Sequence, residues 1–432
     1  MATLRAFRPL RYNQARVGDL ASVVAPPYDV ISEARRDALY ARSEYNVVRL
    51  ILNGARDRYA AAGERLRAWC RAGVLVRERV PSLGYYVEQF SLPGGGTGQR
   101  QGVIGVVRLE PFSSGNIRPH ERTFTRAKED RMRILRACRT NLSPIFGLFA
   151  DKTELLEQTR LAAANRQPDI AVVDDGGVRH QLWLLEEPSV IEAVAGALRD
   201  EPILIADGHH RYETALAYRD AQRAQGCGDP DAPHNFILMY LTSMSHPGLV
   251  ILPTHRVVTG GPAINGSALL AALRQHFHLI PFARSAQQEF RACLHGDSAR
   301  VRLGIALADR ESRVVATLAD PSVLERCASN LAPAVRGLDV AVLDTVILRG
   351  LLGIDCSVAA QAGQLAYTHD DDEAVRTVDH GAQAAFLLNA PRIEDVQAVC
   401  LAGETMPEKS TYFYPKLLTG LVFHPLVESL PV

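Results

Sequence analysis

The chain has 432 residues, of which 47% are hydrophobic and 22% charged, a composition typical of a globular protein that excludes wholesale disorder. A chain of this length is too long to fold around one ordinary hydrophobic core, so two or three domains are predicted. Lys and Arg number 48 and Asp and Glu number 48, so there is no net positive field to hold a nucleic acid without sequence preference.

The amino terminus and the cysteines predict a cytoplasmic protein. The first residues, MATLRAFRPLRYNQ, contain no apolar run of signal-peptide length, and no later stretch approaches the length of a membrane span. The seven cysteines are an odd number, and no two of them stand at the spacing of a zinc knuckle or a redox pair. We therefore expect free thiols, a reducing compartment and no membrane partner.

The first part of the chain is predicted to contain a helix and a β-hairpin. Apolar positions recur at helical spacing over residues 59–72. Two β-rich runs that start near residue 83, GYYVEQFSL and QGVIGVVRLEPF, flank the glycine-rich PGGGTGQ. The GGGTG string has the glycine content of a phosphate loop, but neither Lys-Ser/Thr nor a helix signal follows it. A hairpin turn is therefore the expected structure.

Helices and strands alternate in the rest of the chain. Residues 125–139 are charged on one side and apolar on the other, and PSVIEAVAGALRDE also has a helical pattern. PILIADG predicts a strand that leads to a helix, RYETALAYRDAQRAQG, ending at Gly226. NFILMYLTSM and GLVILPTHRVV are expected as buried strands. With the mixed pattern from residue 260 to about 400, the chain is predicted to be α+β rather than a doubly wound parallel sheet.

A run of polar residues lies where the predicted strand ends and the helix begins: Asp207, Gly208, His209, His210 and Arg211. A helix N-terminus exposes backbone N–H groups, and glycine lets an anion approach the backbone. Arg211 adds a fork of donors suited to phosphate oxygens. The pattern predicts a phosphate or nucleotide site; helix capping by Asp207 is the purely structural explanation. Adjacent histidines point in different directions, so no zinc ligated by the protein is expected.

Two further polar segments are candidates for the chemistry. His120 and Glu121 lie in RPHERT, after a predicted strand, where a carboxylate can accept a proton from a hydroxyl nucleophile. Lys409, Ser410 and Thr411 lie in MPEKST, and lysine with neighbouring hydroxyls can contact phosphate or help to hold a metal. Each segment also has a structural explanation: a carboxylate at a helix start for the first and a surface turn for the second.

Six stretches, spread over nearly the whole chain, resemble the DUF1015 family: PPYDVIS, RPHERTF, NLSPIFGL, IADGHHRYETA, ILPTHRVV and MPEKSTYFYPK. The RPHE, ADGHHR and NAPRIEDV to MPEKST segments are also similar, in that order, to the free L-serine kinases of the ParB/sulfiredoxin-like superfamily. Those kinases transfer phosphate from a nucleotide, ADP in the archaeal examples, to the serine hydroxyl. The resemblance implies an N-terminal α/β segment at 1–110, a ParB-like nucleotide-binding core with an insertion at 111–258, and an α/β domain at 259–432 that completes the active site.

The resemblance also implies roles for the candidate residues. Glu121 matches the general base and Asp207 the essential aspartate, while the phosphate-binding loop is matched by Gly208, His209, His210 and Arg211. His120 and the turn Lys409, Ser410 and Thr411 are expected to contact the substrate or its phosphate. The chain departs from the kinases in its long N-terminal segment, in the insertion between Glu121 and Asp207, and in the Tyr-Phe-Tyr-Pro that follows Thr411.

We therefore expect a kinase that uses Mg²⁺ with ADP or ATP to phosphorylate free L-serine. ParB-like folds also hold CTP in such a loop as a conformational switch, so a nucleotide-binding regulatory module is the alternative, and a nucleotide hydrolase is a third hypothesis. A switch has no use for a hydroxyl-directed base at Glu121. Because no helix-turn-helix with basic recognition residues is apparent, the expected partners are small molecules and no nucleic acid. The N-terminal segment is expected either to close over the active site or to form a homodimer.

Overall fold

A computed structural model describes residues 2–121, 125–296 and 301–428 as a mixed α and β protein with several separate sheets. The chain divides into two compact units. The first unit consists of Met1–Pro119, Thr123–Val250 and Pro415–Val432, and the second of His120–Arg122 and Ile251–Tyr414. The predicted mixture of helices and strands is confirmed, whereas the three-part division at residues 110 and 258 stays a prediction.

The first unit is built on a large mixed sheet. Strand Phe236–Ser243 pairs in parallel with Ile145–Phe149 and antiparallel with Thr97–Arg108. Strand Ile203–Asp207 runs antiparallel to Ile145–Phe149 and parallel to Ile117–Pro119, which puts its polar end next to two neighbouring strands. Beyond Thr97–Arg108 the sheet continues with Leu83–Ser91, Arg179–Leu185 and Ile170–Val173, and Leu4–Arg5 also pairs with Thr97–Arg108.

The predicted hairpin around the glycine-rich segment is confirmed. Leu83–Ser91 and Thr97–Arg108 pair antiparallel on either side of a short turn. Gly95 and Gly96 lie in this turn with φ of 93° and 87°, a conformation that residues with a Cβ rarely adopt. Since the second strand begins inside the GGGTG string, this string belongs to the hairpin.

Helices of the first unit pack their apolar faces against the sheet. Tyr212, Ala215 and Tyr218 of helix His209–Ala224 share one core cluster with Ile203 and Met239 of the strands. The predicted helices at 59–72, at 125–139 and in PSVIEAVAGALRDE are confirmed as Arg58–Arg71, Thr125–Cys138 and Pro188–Leu198. Further helices are Gln14–Val17, Glu33–Arg42, Val48–Ile51 and Leu155–Ala163.

Short elements complete the first unit. Leu10–Tyr12 pairs with Leu75–Arg77, and His424–Pro425 pairs with Thr140–Asn141. Single 3₁₀ turns are present at Leu20–Ser22, Tyr28–Val30, Phe112–Ser114 and Pro233–Asn235. Tyr28 of the PPYDVIS segment therefore lies in a tight turn rather than in a regular element.

The second unit contains an antiparallel sheet with apolar clusters on both faces. Ile305 belongs to one cluster and Ala306 to the other, because successive side chains of a strand point to opposite faces. The strand order is Phe277–Ala283, Ser312–Leu318, Arg302–Leu307, Ala384–Leu387, His255–Val258 and Leu365–Thr368.

Helices supply the other half of each cluster. Gly266–Leu273, Asp339–Val342 and the π-helical Leu343–Leu351 contribute to the cluster of Ile305, and Gln287–His295 and Asp371–Asp379 contribute to that of Ala306. Further helices are Ser322–Cys327, Pro333–Arg336, Cys356–Gln361 and Ile393–Leu401, and Tyr412–Tyr414 is a short strand.

The prediction of one strand for GLVILPTHRVV is wrong. The structure has two strands there, Val250–Leu252 and His255–Val258. Pro253 lies between them, and proline interrupts a strand because it has no N–H to donate to the neighbouring strand.

Two general properties bear on function. In the part of the chain that the structure describes, helices with the length and the apolar character needed to cross a bilayer are absent. The seven cysteines are free thiols, as expected from their spacing. Disulfides therefore make no contribution to the packing of either unit.

Candidate functional site

The first site cluster lies in the second unit and is centred on Glu121. The backbone N–H of Met406 donates to the carbonyl of His120 at 2.7 Å, and Glu121 forms a parallel bridge with Met406. This short pairing places the RPHERT segment beside the MPEKST segment. The next residues of the RPHERTF stretch, 122–124, lie outside the described ranges.

Glu121 is hydrogen-bonded to the turn that follows Met406. Its Oε1 accepts from the backbone N–H of Ser410 at 3.0 Å, and from the backbone N–H and the hydroxyl of Thr411, both at 3.1 Å. Because Thr411 gives its hydroxyl proton to this carboxylate, the bond of 2.7 Å between Thr411 Oγ1 and His120 Nε2 requires Nε2 to be the protonated nitrogen. His120 is buried, so this arrangement is fixed by packing as well as by hydrogen bonds.

The backbone of Lys409 makes this geometry possible. Lys409 has a φ of 56°, in the left-handed region that non-glycine residues enter uncommonly. Such a conformation reverses the chain between Glu408 and Ser410, so that successive N–H groups converge on one oxygen of Glu121. The predicted residues His120, Glu121, Ser410 and Thr411 thus form one connected group, whereas the side chain of Lys409 is exposed.

Glu408 is part of this group and was not predicted as a site residue. Burial raises the pKa of Glu408, the negative charge of Glu121 raises it further, and the result is about 7. Its carbonyl accepts a hydrogen bond of 3.1 Å from the buried side chain of Arg256. The sequence signal was a second glutamate in the same motif, but burial and a neighbouring carboxylate are properties of the fold.

The second site cluster lies in the first unit, at the junction between strand Ile203–Asp207 and helix His209–Ala224. The helix begins at His209, two residues before the predicted start at Arg211, so His209, His210 and Arg211 belong to its first turn and not to a loop. Gly208 provides the reversal, with a φ of 97°. A Cβ there would lie 2.8 Å from Cδ1 of Ile145. Only a glycine fits this position without displacing its neighbours.

Asp207 is held between two cations. Its Oδ1 lies 2.6 Å from Nζ of Lys416, its Oδ2 lies 2.6 Å from Nη2 of Arg211, and its side chain is 17% exposed. Burial disfavours the ionised carboxylate, but Lys416 and Arg211 outweigh burial and hold the pKa of Asp207 well below its usual range. Lys416 was not predicted as a site residue, although it ends the MPEKSTYFYPK stretch.

Arg211 directs its guanidinium to acceptors of the protein. Besides Asp207 it binds the hydroxyl of Ser143 at 2.9 Å and the carbonyl of Pro144, both in the NLSPIFGL segment. The predicted phosphate-binding arginine therefore joins two motifs in this structure. His209 is buried and His210 is half-buried in the same helical turn.

A small cavity of about 60 Å³ borders Arg211 within the first unit. Its walls include Tyr28, Ser143 and Arg211, which come from three of the stretches that resemble the family. The guanidinium of Arg131, also in the wall, lies 3.8 Å from the centre of the Tyr28 ring. Burial raises the pKa of Tyr28 to about 12, so its hydroxyl is neutral at physiological pH.

Comparison with known families identifies the chain. The family model described as "Protein of unknown function (DUF1015)" matches residues 4–341. The chain belongs to the DUF1015 family. This membership confirms the expectation drawn from the six sequence stretches, and among curated proteins this DUF1015 member has no match.

This DUF1015 protein has only low similarity to the solved structures that match it. A conserved hypothetical protein from Pyrococcus furiosus aligns over 71% of this chain and 92% of its own, at 14% identity and a TM-score of 0.35. A variant of a free serine kinase in complex with ADP covers 71% of this chain and 89% of its own, at 12% identity and a TM-score of 0.35. SbnI from Staphylococcus aureus, with a C-terminal truncation, covers 75% and 87%, at 14% identity and a TM-score of 0.34.

Proposed function

We propose that the protein is a small-molecule phosphotransferase that moves a phosphoryl group from ADP or ATP to the hydroxyl of free L-serine, on a ParB/sulfiredoxin-like core. The observation that supports this most directly is the set of hydrogen bonds from Ser410 and Thr411 to one oxygen of Glu121. Two motifs that resemble parts of a serine kinase, 289 positions apart in sequence, form one polar group in the fold.

In this proposal Glu121 accepts the proton of the serine hydroxyl. A general base must be held in one orientation, and the donors on Oε1 fix the plane of this carboxylate. Glu408 is the second carboxyl group nearby, and a pKa of about 7 suits proton transfer at neutral pH. Substituting each glutamate in turn assigns the proton acceptor.

The strand-to-helix junction is proposed to hold the transferred phosphate. Gly208 at the N-cap has no side chain to cover the first N–H groups of helix His209–Ala224, and such N–H groups bind anions. Lys416 and Arg211 add positive charge at the same junction. His209 and His210 belong to the first turn, and in this proposal their rings donate to phosphate oxygens.

Mg²⁺ is proposed to arrive with the nucleotide. Asp207 already contacts one cation through each carboxylate oxygen, Lys416 through Oδ1 and Arg211 through Oδ2, and this arrangement does not fit direct coordination of a metal. Across residues 2–121, 125–296 and 301–428, no group of three or more His, Cys, Asp or Glu side chains is placed to hold a metal ion. The phosphates of the nucleotide are thus the proposed ligands.

The test is an assay for O-phosphoserine by phosphorus NMR, with Mg²⁺, L-serine and ADP, ATP, CTP or pyrophosphate as separate donors. Glu121→Gln keeps an acceptor oxygen for Ser410 and Thr411, so the fold should persist while turnover falls by about two to four powers of ten. Glu64→Gln, an exposed glutamate of helix Arg58–Arg71, is the matched control and should leave turnover unchanged.

Each outcome decides between the hypotheses. Phosphoserine from one donor, lost in Glu121→Gln and retained in Glu64→Gln, establishes the kinase and identifies the donor. Near-normal turnover in Glu121→Gln, with a loss in Glu408→Gln, moves the base to Glu408. If no donor yields phosphoserine while a nucleotide binds or is hydrolysed, the regulatory switch or the hydrolase replaces the kinase.

A further inference from the structure

The second unit contains a cavity of about 280 Å³. Its wall combines apolar side chains with a small set of polar ones, which is the usual make-up of a small-molecule site. The polar residues in the wall are Asp339, Asn389, Arg392, Asp395 and Ser410. Three of them, Asn389, Arg392 and Asp395, come from the NAPRIEDV stretch.

Among the described residues, Asp339 is the acidic side chain in this cavity wall that no basic side chain neutralises. Arg392 and Asp395 pair with each other through two contacts of 3.0 and 2.9 Å. Asp339 instead accepts from the backbone and side-chain N–H groups of Asn389, at 3.4 and 3.1 Å, and from the backbone N–H of Arg302, and within the described ranges it forms no ion pair with a basic side chain. Burial first, and then the charge of Asp395, raise the pKa of Asp339 to about 6. A cation placed in the cavity would relieve this unfavourable ionisation.

The orientation of Asn389 keeps Asp339 in place. The side-chain nitrogen of Asn389 donates to Asp339 and, at 3.3 Å, to the carbonyl of Arg302, so its oxygen is the acceptor for Nδ1 of His295 at 2.9 Å. The other ring nitrogen of His295 lies 3.0 Å from a carboxylate oxygen of Asp371. Both ring nitrogens face acceptors, and the hydrogen bond with Asp371 raises the pKa of His295. The hydrogen bonds of Asn389 thus hold the side chain that donates to Asp339 in one orientation.

Ser410 connects this cavity to the proposed base. Ser410 lies in the cavity wall, and its backbone N–H is one of the donors to Oε1 of Glu121, at 3.0 Å. Both residues belong to the same unit. A molecule that enters the cavity is therefore next to the turn that positions Glu121.

We propose that this cavity is the acceptor site, in which Asp339 binds the ammonium group of a free hydroxy amino acid. This inference rests on the proposed function and adds to it the group by which the acceptor is recognised. An ammonium carries three donors and a full charge, whereas the described residues supply no basic side chain to pair with the Asp339 carboxylate, so the two are complementary in charge and in hydrogen bonding. The cavity volume of about 280 Å³ lies just below the usual range for drug-sized ligands, which agrees with a ligand as small as a free amino acid.

The test compares binding of ligands that differ by one group, measured by ligand-observed NMR on the full chain with and without ADP. L-serine and ethanolamine keep the ammonium group, and 3-hydroxypropionate lacks it. We expect 3-hydroxypropionate to bind at least tenfold more weakly than L-serine to the wild-type protein. This comparison needs no variant, so it holds even if a substitution at Asp339 disturbs folding.

Asp339→Asn should weaken the binding of L-serine at least tenfold and leave the affinity for 3-hydroxypropionate unchanged. Asp379→Asn is the matched control, because Asp379 is an exposed aspartate of the same unit that already pairs with Arg284 at 3.1 Å. Equal affinities of Asp339→Asn and Asp379→Asn for L-serine, equal affinities of wild type for L-serine and 3-hydroxypropionate, or no binding of either would overturn the inference.

The inference and the proposed function fail in different ways. If L-serine binds through Asp339 but no donor yields phosphoserine, the acceptor site stands and the kinase is wrong. If phosphoserine forms and Asp339→Asn leaves the KM for serine unchanged, the kinase stands and this acceptor site is wrong.

Discussion

Replacing Lys416 with Met removes one of the two cations that hold the carboxylate of Asp207. Nζ of Lys416 lies 2.6 Å from Oδ1, and the two side chains are 12% and 17% exposed. Removing one partner of a buried ion pair typically costs about 3–5 kcal/mol. Because Arg211 still contacts Oδ2 of Asp207 at 2.6 Å, we expect Lys416→Met to lower the free energy of unfolding by about 2–3 kcal/mol at pH 7.

A surface pair of the same length provides the control. Lys152 lies 2.6 Å from Oε1 of Glu201, but its side chain is 71% exposed. Exposed pairs contribute about 0–1 kcal/mol, so Lys152→Met should change the free energy of unfolding by less than about 1 kcal/mol. Urea denaturation followed by circular dichroism measures both variants, and equal small losses would refute the argument from burial.

The pH dependence gives a second check on the same pair. The pKa of Asp207 is held below its usual range, so its stabilising contribution is present at neutral pH and is lost as the pH falls towards the folded-state pKa. Lys416→Met moves that pKa back towards about 4, the ordinary value for aspartate. The stability difference between wild type and Lys416→Met should therefore be full at pH 7 and shrink below about pH 4. A difference that grows on acidification would contradict the assigned cause.

Two further predictions concern the other positions of the site. Gly208→Ala should lower the free energy of unfolding by about 1–3 kcal/mol, because the new Cβ would lie 2.8 Å from the side chain of Ile145 and the backbone has a φ of 97°. Gly228→Ala is the control: a Cβ at Gly228 would have no neighbouring atom within 4 Å, so the free energy of unfolding should change little in the same urea titration. Glu408→Gln should stabilise the protein by about 1–2 kcal/mol at pH 8, after discounting for partial exposure, and have no such effect at pH 5. The raised pKa of about 7 means that the folded state binds the proton of Glu408 more tightly than the unfolded state, so stability is lost as the pH rises from about 4.5 to 7. Equal stabilities of Glu408→Gln and wild type at pH 8, measured by thermal unfolding, would refute the assignment.

Local sequence patterns predicted the secondary structure correctly where it depends on interactions between residues close together in sequence. Amphipathic periodicity predicted helix Thr125–Cys138, and alternating β-rich runs around glycines predicted the hairpin at Leu83–Ser91 and Thr97–Arg108. The change from apolar strand to polar residues located the junction at Asp207, although the helix starts earlier than predicted because Gly208 alone provides the reversal. The family was also readable from the sequence, since its motifs are short continuous strings.

Contacts and ionisation states across long sequence distances required the tertiary structure. Ser410 lies 289 positions from Glu121, and Lys416 lies 209 positions from Asp207. No local pattern encodes which of several lysines meets which aspartate, because that depends on the packing of every intervening element. The raised pKa of Glu408 likewise follows from burial beside Glu121. The sequence by itself determined the elements, the family and the candidate residues, whereas the tertiary structure decided the partners and the charge states, because desolvation and Coulomb interactions depend on distances in space.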